Sequence, residues 1–366
     1  MKVLLINSVC GIRSTGRICT DIADELEAQG HEVKIAYGRE NVPEQYEKYA
    51  VRIGSDFDAK LHALYTRICD KHGFGSVKAT REFLKWADEF SPELLWLHNI
   101  HGYYINIQLL FDWIKKHPNM RVRWTLHDCW AFTGHCTHFV KAGCNKWLVQ
   151  CENCPQKKSY PTSYFIDNSK SNYILKKQLF TGVKNLTVIT PSEWLASMVN
   201  KSFLNEYPIE VHNNKIDIET FKPTQSDFRL KYRLQNTQII LGVASAWGEY
   251  KGLYDFYKLS EILDPDKRIV LVGLSKKQLK TLPKSIIGIE KTNSKTELAE
   301  IYTAADIFFN PTYEDTYPTV NLEAEACGTK VITYNTGGAP ETIKRGDSVV
   351  IPQGEYKRVL EIIDNE

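Results

Sequence analysis

The feature that most constrains this chain is a strand–loop–helix–strand pattern between Asp306 and Tyr334. Asp306-Ile307-Phe308-Phe309-Asn310-Pro311 is an apolar run without polar alternation, which predicts a buried strand. Residues 313–328 then read as a loop and a helix stopped by Gly328, before a second apolar run, Val331-Ile332-Thr333-Tyr334. Pro318 suits a first helical turn, where a missing N–H loses nothing. The N–H groups of Thr319 and Val320 would then point out of the helix start, where a phosphate can bind. Asp315 falls in the loop before that turn and Glu323 in the helix. A carboxylate beside a phosphate site needs another partner, and ribose hydroxyls are the usual one.

This stretch resembles the E-x7-E signature of retaining glycosyltransferases of family four. The resemblance implies an α/β, GT-B fold: two Rossmann-like domains facing each other across a cleft. It also implies roles. Asp315 takes the first acid position, against the donor sugar; Thr319 and Val320 hold the distal phosphate; Glu323 holds the ribose. The first acid is usually Glu, so Asp315 is a departure, and Glu314 is the neighbour one residue out of register.

With 366 residues the chain can form two domains of ordinary size. The expected division is an acceptor-side domain over 1–208, carrying a cysteine-rich insert at 129–160, and a nucleotide-sugar domain over 209–366. An apolar content of 43% with 25% charge fits a packed globular protein, and a net charge of +2 gives no footprint for nucleic acid. Lys2 is followed only by Val3-Leu4-Leu5-Ile6, too short for a secretory signal, and no apolar run approaches the ~20 residues of a membrane span. The expected location is the cytoplasm, at the inner face of the membrane. The nine cysteines are then reduced thiols or metal ligands.

Val3–Asn7 predicts a first strand, Ser8–Arg17 a loop, and Ile18, Ile22, Ala23, Leu26 and Ala28 a helix ended by Gly30. The loop lacks G-x-G-x-x-G, which argues against an NAD-dependent oxidoreductase. By resemblance, its small residues around Gly16 let backbone N–H groups approach the donor. Residues 56–90 read as helical. Leu61, Leu64, Tyr65 and Ile68 form one apolar face, which either faces the core or, as in relatives acting on lipid-linked acceptors, docks on the membrane. His98-Asn99-Ile100-His101-Gly102-Tyr103-Tyr104 follows a strand and suits a polyhydroxylated ligand. His127 ends the next strand, where the resemblance places a histidine facing the donor sugar, and Asp128 is placed to orient its ring.

Cys136, Cys144, Cys151 and Cys154 give the spacing C-x7-C-x6-C-x2-C. Four thiols within about twenty residues fit a tetrahedral structural zinc, with four thiolates closing the site to catalysis. Reduced thiols, an iron–sulfur cluster or a redox switch stay open as alternatives. The stretch has few apolar residues, so a metal staple would help hold it. A similar cysteine pattern in some bacterial members of the family implies a structural role.

In the second half, Ala244–Gly252 resembles the family's G-R-L-x3-K-G loop, in which Arg and Lys clamp the donor's diphosphate. Lys251 is kept; Ala246 stands where the Arg is expected. Lys215 replaces the glycine of the interdomain N-G-[IV]-D segment. Gly273, at a strand end, is expected to border the nucleobase, and Gly337-Gly338-Ala339-Pro340-Glu341 matches the family's G-G-x-P-E loop. The implied reaction is retaining transfer of a sugar, from a UDP- rather than a GDP-sugar, to a glycan or polyprenyl-linked acceptor in bacterial surface polysaccharide synthesis. His127, Asp315 and Lys251 are the catalytic candidates, and no cofactor is needed for catalysis. Two alternatives remain: a nucleotide-sugar epimerase, and a catalytically weak nucleotide-binding partner in a polysaccharide assembly complex, suggested by Ala246 and Lys215.

Overall fold

The computed structural model describes residues 1–365. The chain divides into two compact units, Met1–His212 and Asn213 onward. Each is built on one fully parallel sheet with helices on both faces.

The first unit's strands are β1 (Lys2–Ile6), β2 (Glu32–Tyr37), β3 (Ala50–Arg52), β4 (Leu94–Leu97), β5 (Arg121–Thr125), β6 (Leu186–Thr190) and β7 (Ile209–Val211). They lie in the order β3-β2-β1-β4-β5-β6-β7. Its helices are α1 (Arg13–Ala28), α2 (Asp56–Cys69), α3 (Val77–Phe90), α4 (Ile107–Lys116), α5 (Ser169–Phe180) and α6 (Glu193–Lys201). Strand β1 shows why both faces must be covered. Leu4 and Ile6 join the core under α3 and α4, while Val3 and Leu5 face Cys19 and Ala23 of α1.

The second unit's strands are β8 (Gln238–Val243), β9 (Lys267–Val272), β10 (Ile286–Ile289), β11 (Ile307–Asn310), β12 (Lys330–Tyr334) and β13 (Val349–Ile351), in the order β10-β9-β8-β11-β12-β13. Its helices are α7 (Phe228–Lys231), α8 (Leu253–Glu261), α9 (Lys276–Lys280), α10 (Lys295–Ala304), α11 (Thr319–Ala326) and α12 (Arg358–Asp364). Again the strand residues alternate: Ile240 packs with Phe256 and Phe309, Ile239 and Leu241 with Tyr302 and Phe308. The strand order reverses between β8 and β11, which puts a ligand crevice at their carboxyl ends.

Four expectations are corrected. The first loop ends at Ile12, because α1 starts at Arg13 and contains Gly16. Thr15 accepts from the Asn7 amide at 3.3 Å, and Gly11 N–H donates to the Gly16 carbonyl at 3.1 Å, so the small residues wind the helix start back onto the loop. Residues 209–211 belong to the first unit, where β7 pairs with Val188–Thr190, so the boundary falls four residues later than 208. Pro318 is the residue before α11 rather than inside its first turn. Finally, the cysteine-rich insert adds apolar side chains to the first unit's core. Phe132, Phe139 and Trp147 are buried, with ring centroids of Trp147 at 5.3 and 4.7 Å from the other two. Ser192 and Ser294 cap α6 and α10, accepting from Leu195 and Glu297 N–H groups.

Candidate donor site and its neighbours

In the second unit, β11 delivers the loop 311–318 and α11 to the end of the sheet. No side chain caps α11, because its cap residue is proline. The N–H groups of Thr319 and Val320 are therefore among the unpaired donors of a helix start, with the positive end of the helix dipole behind them. Asp315 lies just before this turn. Its Oδ2 is 2.5 Å from Lys251 Nζ, and its Oδ1 accepts from Tyr317 N–H at 3.2 Å. Two of the expected catalytic groups, far apart in sequence, are thus in direct contact. Glu314, the alternative first acid, is buried. Its neighbour Asp315 makes the ion pair, which favours the E-x7-E register that places Asp315 and Glu323 together.

Glu323 accepts from the Tyr302 hydroxyl at 3.1 Å. Tyr302 is fully buried in α10, so it fixes the carboxylate from behind, and burial with the neighbouring Glu323 charge holds the phenol well above its ordinary range.

Backbone geometry brings the loops close. Gly252 has φ +71°, and a Cβ there would lie 2.2 Å from the Pro311 carbonyl oxygen. This contact seats Lys251 beside the 311–318 loop. Gly273 has φ +98°, and its Cβ would lie 1.7 Å from the Ala244 carbonyl oxygen. Gly273 therefore shapes the β8 loop from the end of β9, a positioning role read directly from its packing. Ala246 is exposed where the second cation was expected, while Trp247 is buried and donates to the Val272 carbonyl at 2.8 Å.

Residues that sequence reasoning did not single out complete the frame. Asn310 donates to Asn321, and Asn321 to Thr342, each at 2.8 Å, in a buried chain tying β11, α11 and the G-G-x-P-E turn. Gly337 has φ +56°, and a Cβ there would lie 2.0 Å from the Asp315 carbonyl oxygen, which Gly338 N–H meets at 3.1 Å. The motif therefore acts by holding Asp315. Asp255 accepts from Tyr313 and Tyr334 at 2.7 and 2.8 Å, buried beneath the same loop. Only the motif's presence signalled any of this.

In the first unit, His98 and His127 follow the adjacent strands β4 and β5. Their Nδ1 and Nε2 atoms are 3.0 Å apart and their rings stack at 5.3 Å. Burial lowers His127 to about 4 and His98 well below the usual range, so both are neutral at neutral pH. Asp128 pairs with His101 Nε2 at 2.9 Å and accepts Trp130 N–H at 2.8 Å. Burial alone would raise the Asp128 carboxyl, but His101, His138 and the Trp130 N–H together bring it down to about 2. Tyr104 is buried and donates to the Asn99 carbonyl at 2.7 Å, which makes it structural. Tyr103 packs among His62, His72 and Tyr160.

Cys136, Cys144, Cys151 and Cys154 line one small pocket in the insert.

Residues 224–365 match the family described as Glycosyl transferases group 1, which covers α7 to α12 and the whole donor-site constellation. The chain is a glycosyltransferase whose second unit carries the group 1 match. The transferase is 23% identical to the Escherichia coli K12 protein named "Putative colanic acid biosynthesis glycosyl transferase WcaC", over 99% of this chain and 90% of that one. Its fold matches sucrose-phosphate synthase from Thermosynechococcus elongatus with a TM-score of 0.72, at 15% identity, over 100% of this chain and 89% of that one. It also matches Anabaena HepE in complex with UDP-glucose, with a TM-score of 0.64 at 17% identity, over 100% and 89% of the two chains. These likenesses give the transferase the GT-B fold.

Proposed function

We propose that this transferase moves a sugar, with retention, from a UDP-sugar to a glycan or lipid-linked acceptor in bacterial surface polysaccharide synthesis. The observation that carries the reading is the Lys251–Asp315 pair at the uncapped start of α11, with Glu323 on the same helix. The likeness to WcaC supports the polysaccharide assignment, and the UDP-glucose complex of HepE supports the base.

When the donor enters, its distal phosphate takes the Thr319 and Val320 N–H groups, and Lys251 turns from Asp315 to the diphosphate. Asp315 is then free for the sugar hydroxyls, and Glu323, steadied by Tyr302, takes the ribose. His127 enters as a neutral hydrogen-bonding group toward the sugar. The bond from the anomeric carbon to the phosphate oxygen breaks as the acceptor oxygen bonds on the same face. The acceptor's proton goes to the departing phosphate, so no side chain need act as base.

A membrane surface fits the acceptor. The α2 stripe does not face the core: Phe57 is 68% exposed, and Leu61, Leu64, Tyr65 and Ile68 are exposed beside it. The segment just after the insert extends this patch, since Tyr164 and Ile166 donate backbone bonds to Arg67 and Ile68, and Phe165 is 74% exposed. Lys60, Arg67 and Lys158 are exposed around it. An apolar patch with a basic rim suits an anionic lipid surface. Among the described residues no helix is long and apolar enough to cross a membrane.

Incubation with isotopically labelled UDP- and GDP-sugars, read by mass spectrometry, tests the reading. Transfer, or slow hydrolysis without acceptor, supports it. Interconverted sugar would indicate the epimerase, and binding without turnover the assembly partner.

A further inference from the structure

We propose that Cys136, Cys144, Cys151 and Cys154 hold a structural zinc ion that staples the insert to the first unit. The inference is independent of the donor chemistry. It starts from convergence: four thiols spread over nineteen positions of sequence line a single pocket, shared with His135 and Trp147. The Cys136 and Cys154 thiols are already within hydrogen-bonding reach of each other.

Backbone N–H groups face two of the sulfurs. Cys151 accepts from the backbone N–H of Gly134, and Cys154 from that of Gln156, two residues on. Asn153 takes a left-handed φ of +45°, which tightens the Cys151-Glu152-Asn153-Cys154 turn, and Asp167 holds the Cys154 N–H at 2.6 Å. Such a turn presents both sulfurs to one side.

Two buried polar atoms in this pocket lack a hydrogen-bond partner: His135 Nε2 and Trp147 Nε1. Unpaired buried polar groups are costly. A thiolate cluster would give the Trp147 N–H an acceptor. Asp70 sits 2.5 Å behind His135 Nδ1, the arrangement of a carboxylate backing a histidine at the edge of a metal centre.

Charge gives an independent argument. Lys176 is fully buried, and its ammonium donates to the Trp130 and Thr133 carbonyls at 2.7 and 3.0 Å, not to a carboxylate. Burial lowers it to about 7, and Cys151, Cys136, Asp128 and Asp70 are the negative groups that act against that. Zinc bound by four thiolates carries two net negative charges, which supplies the counter-charge that a buried cation needs. Among the described residues no three such donors yet meet at metal distance. Binding therefore means that side-chain rotation draws the sulfurs in to about 2.3 Å from the ion.

The ion ties the insert down through groups that already bridge it to α2. Asp70, the residue after α2, contacts His135 and accepts Asn168 N–H at 2.9 Å, and Asn168 donates to the Cys69 carbonyl at 2.7 Å.

The test is metal analysis of the full chain purified under reducing conditions without chelator. We expect close to one zinc per chain, thiols at these positions that react with a disulfide reagent only after chelation, and loss of the zinc in Cys151→Ser. Exchange with cobalt should give the intense thiolate charge-transfer band of a four-sulfur site. This measurement on the wild type stands even if Cys151→Ser does not fold. Folded, metal-free protein with four freely reacting thiols would overturn the proposal. So would a disulfide, bound iron with sulfide, or zinc retained at full occupancy in Cys144→Ser.

Discussion

Lys251 Nζ and Asp315 Oδ2 lie 2.5 Å apart, with the lysine partly exposed and the aspartate mostly enclosed. Without donor, each charge satisfies the other; with donor, each has a separate task. Lys251→Ala should therefore lower kcat by about 10²- to 10³-fold, the range seen for a lost donor to developing negative charge. Lys251→Arg should recover part of it. Steady-state kinetics with saturating donor check this, and a change confined to KM would contradict it.

The Gly337 contact makes a second prediction. Gly337→Ala adds a methyl where only 2.0 Å separates it from the Asp315 carbonyl oxygen, at a φ of +56°. The loop must shift, carrying Asp315 away from Lys251. Activity should fall by at least about tenfold, since a misplacement near 1 Å can cost ~10²-fold. A folded variant with unchanged kinetics would show that the loop does not position Asp315.

His62 makes stability depend on pH. Its Nε2 accepts from Gly73 and Gly75 N–H at 3.2 and 3.1 Å, so it must be unprotonated there, and burial lowers it from 6.5 to about 4. The unfolded chain binds this proton first as pH falls. The contribution is fully present above about 6.5, is lost between 6.5 and 4, and falls no further below. Thermal midpoints across that range should drop for the wild type and drop less steeply in His62→Gln, with the buried His72, His98 and His127 supplying the remaining slope. Equal slopes would remove His62 as the cause.

The patch on α2 and residues 164–166 gives a fourth. Leu64→Asp with Phe165→Asp should abolish cosedimentation with anionic vesicles and leave turnover on a soluble acceptor unchanged. Unaltered vesicle binding would assign the membrane contact elsewhere.

What the sequence revealed, and what it hid, follows the range of the forces involved. The strand, loop and helix from 306 to 328 were legible because apolar runs, a proline and a glycine act locally. The residue types at 315, 319, 320 and 323 carried the site with them. The Lys251–Asp315 contact needed the glycine that lets one loop press on another. The pairing of Asp128 with His101 was not legible, because His101 comes from the loop after the adjacent strand. The α2 stripe had the spacing of a core face, but periodicity does not say which side is covered. Its opposite face, with His62 and Thr66, is the buried one. Strand β7 is three residues long and became visible only through its pairing with β6. Lys215, which replaces the family's glycine, does not take a positive φ.

The most direct measurement is calorimetric titration of the wild type and Glu323→Ala with UDP and with GDP. The account predicts micromolar binding of UDP, weaker binding of GDP, and a loss of roughly ten- to a hundredfold in the variant as hydrogen bonds to the charged carboxylate disappear. Absence of binding to either nucleotide, or binding that Glu323→Ala leaves unchanged, would contradict it.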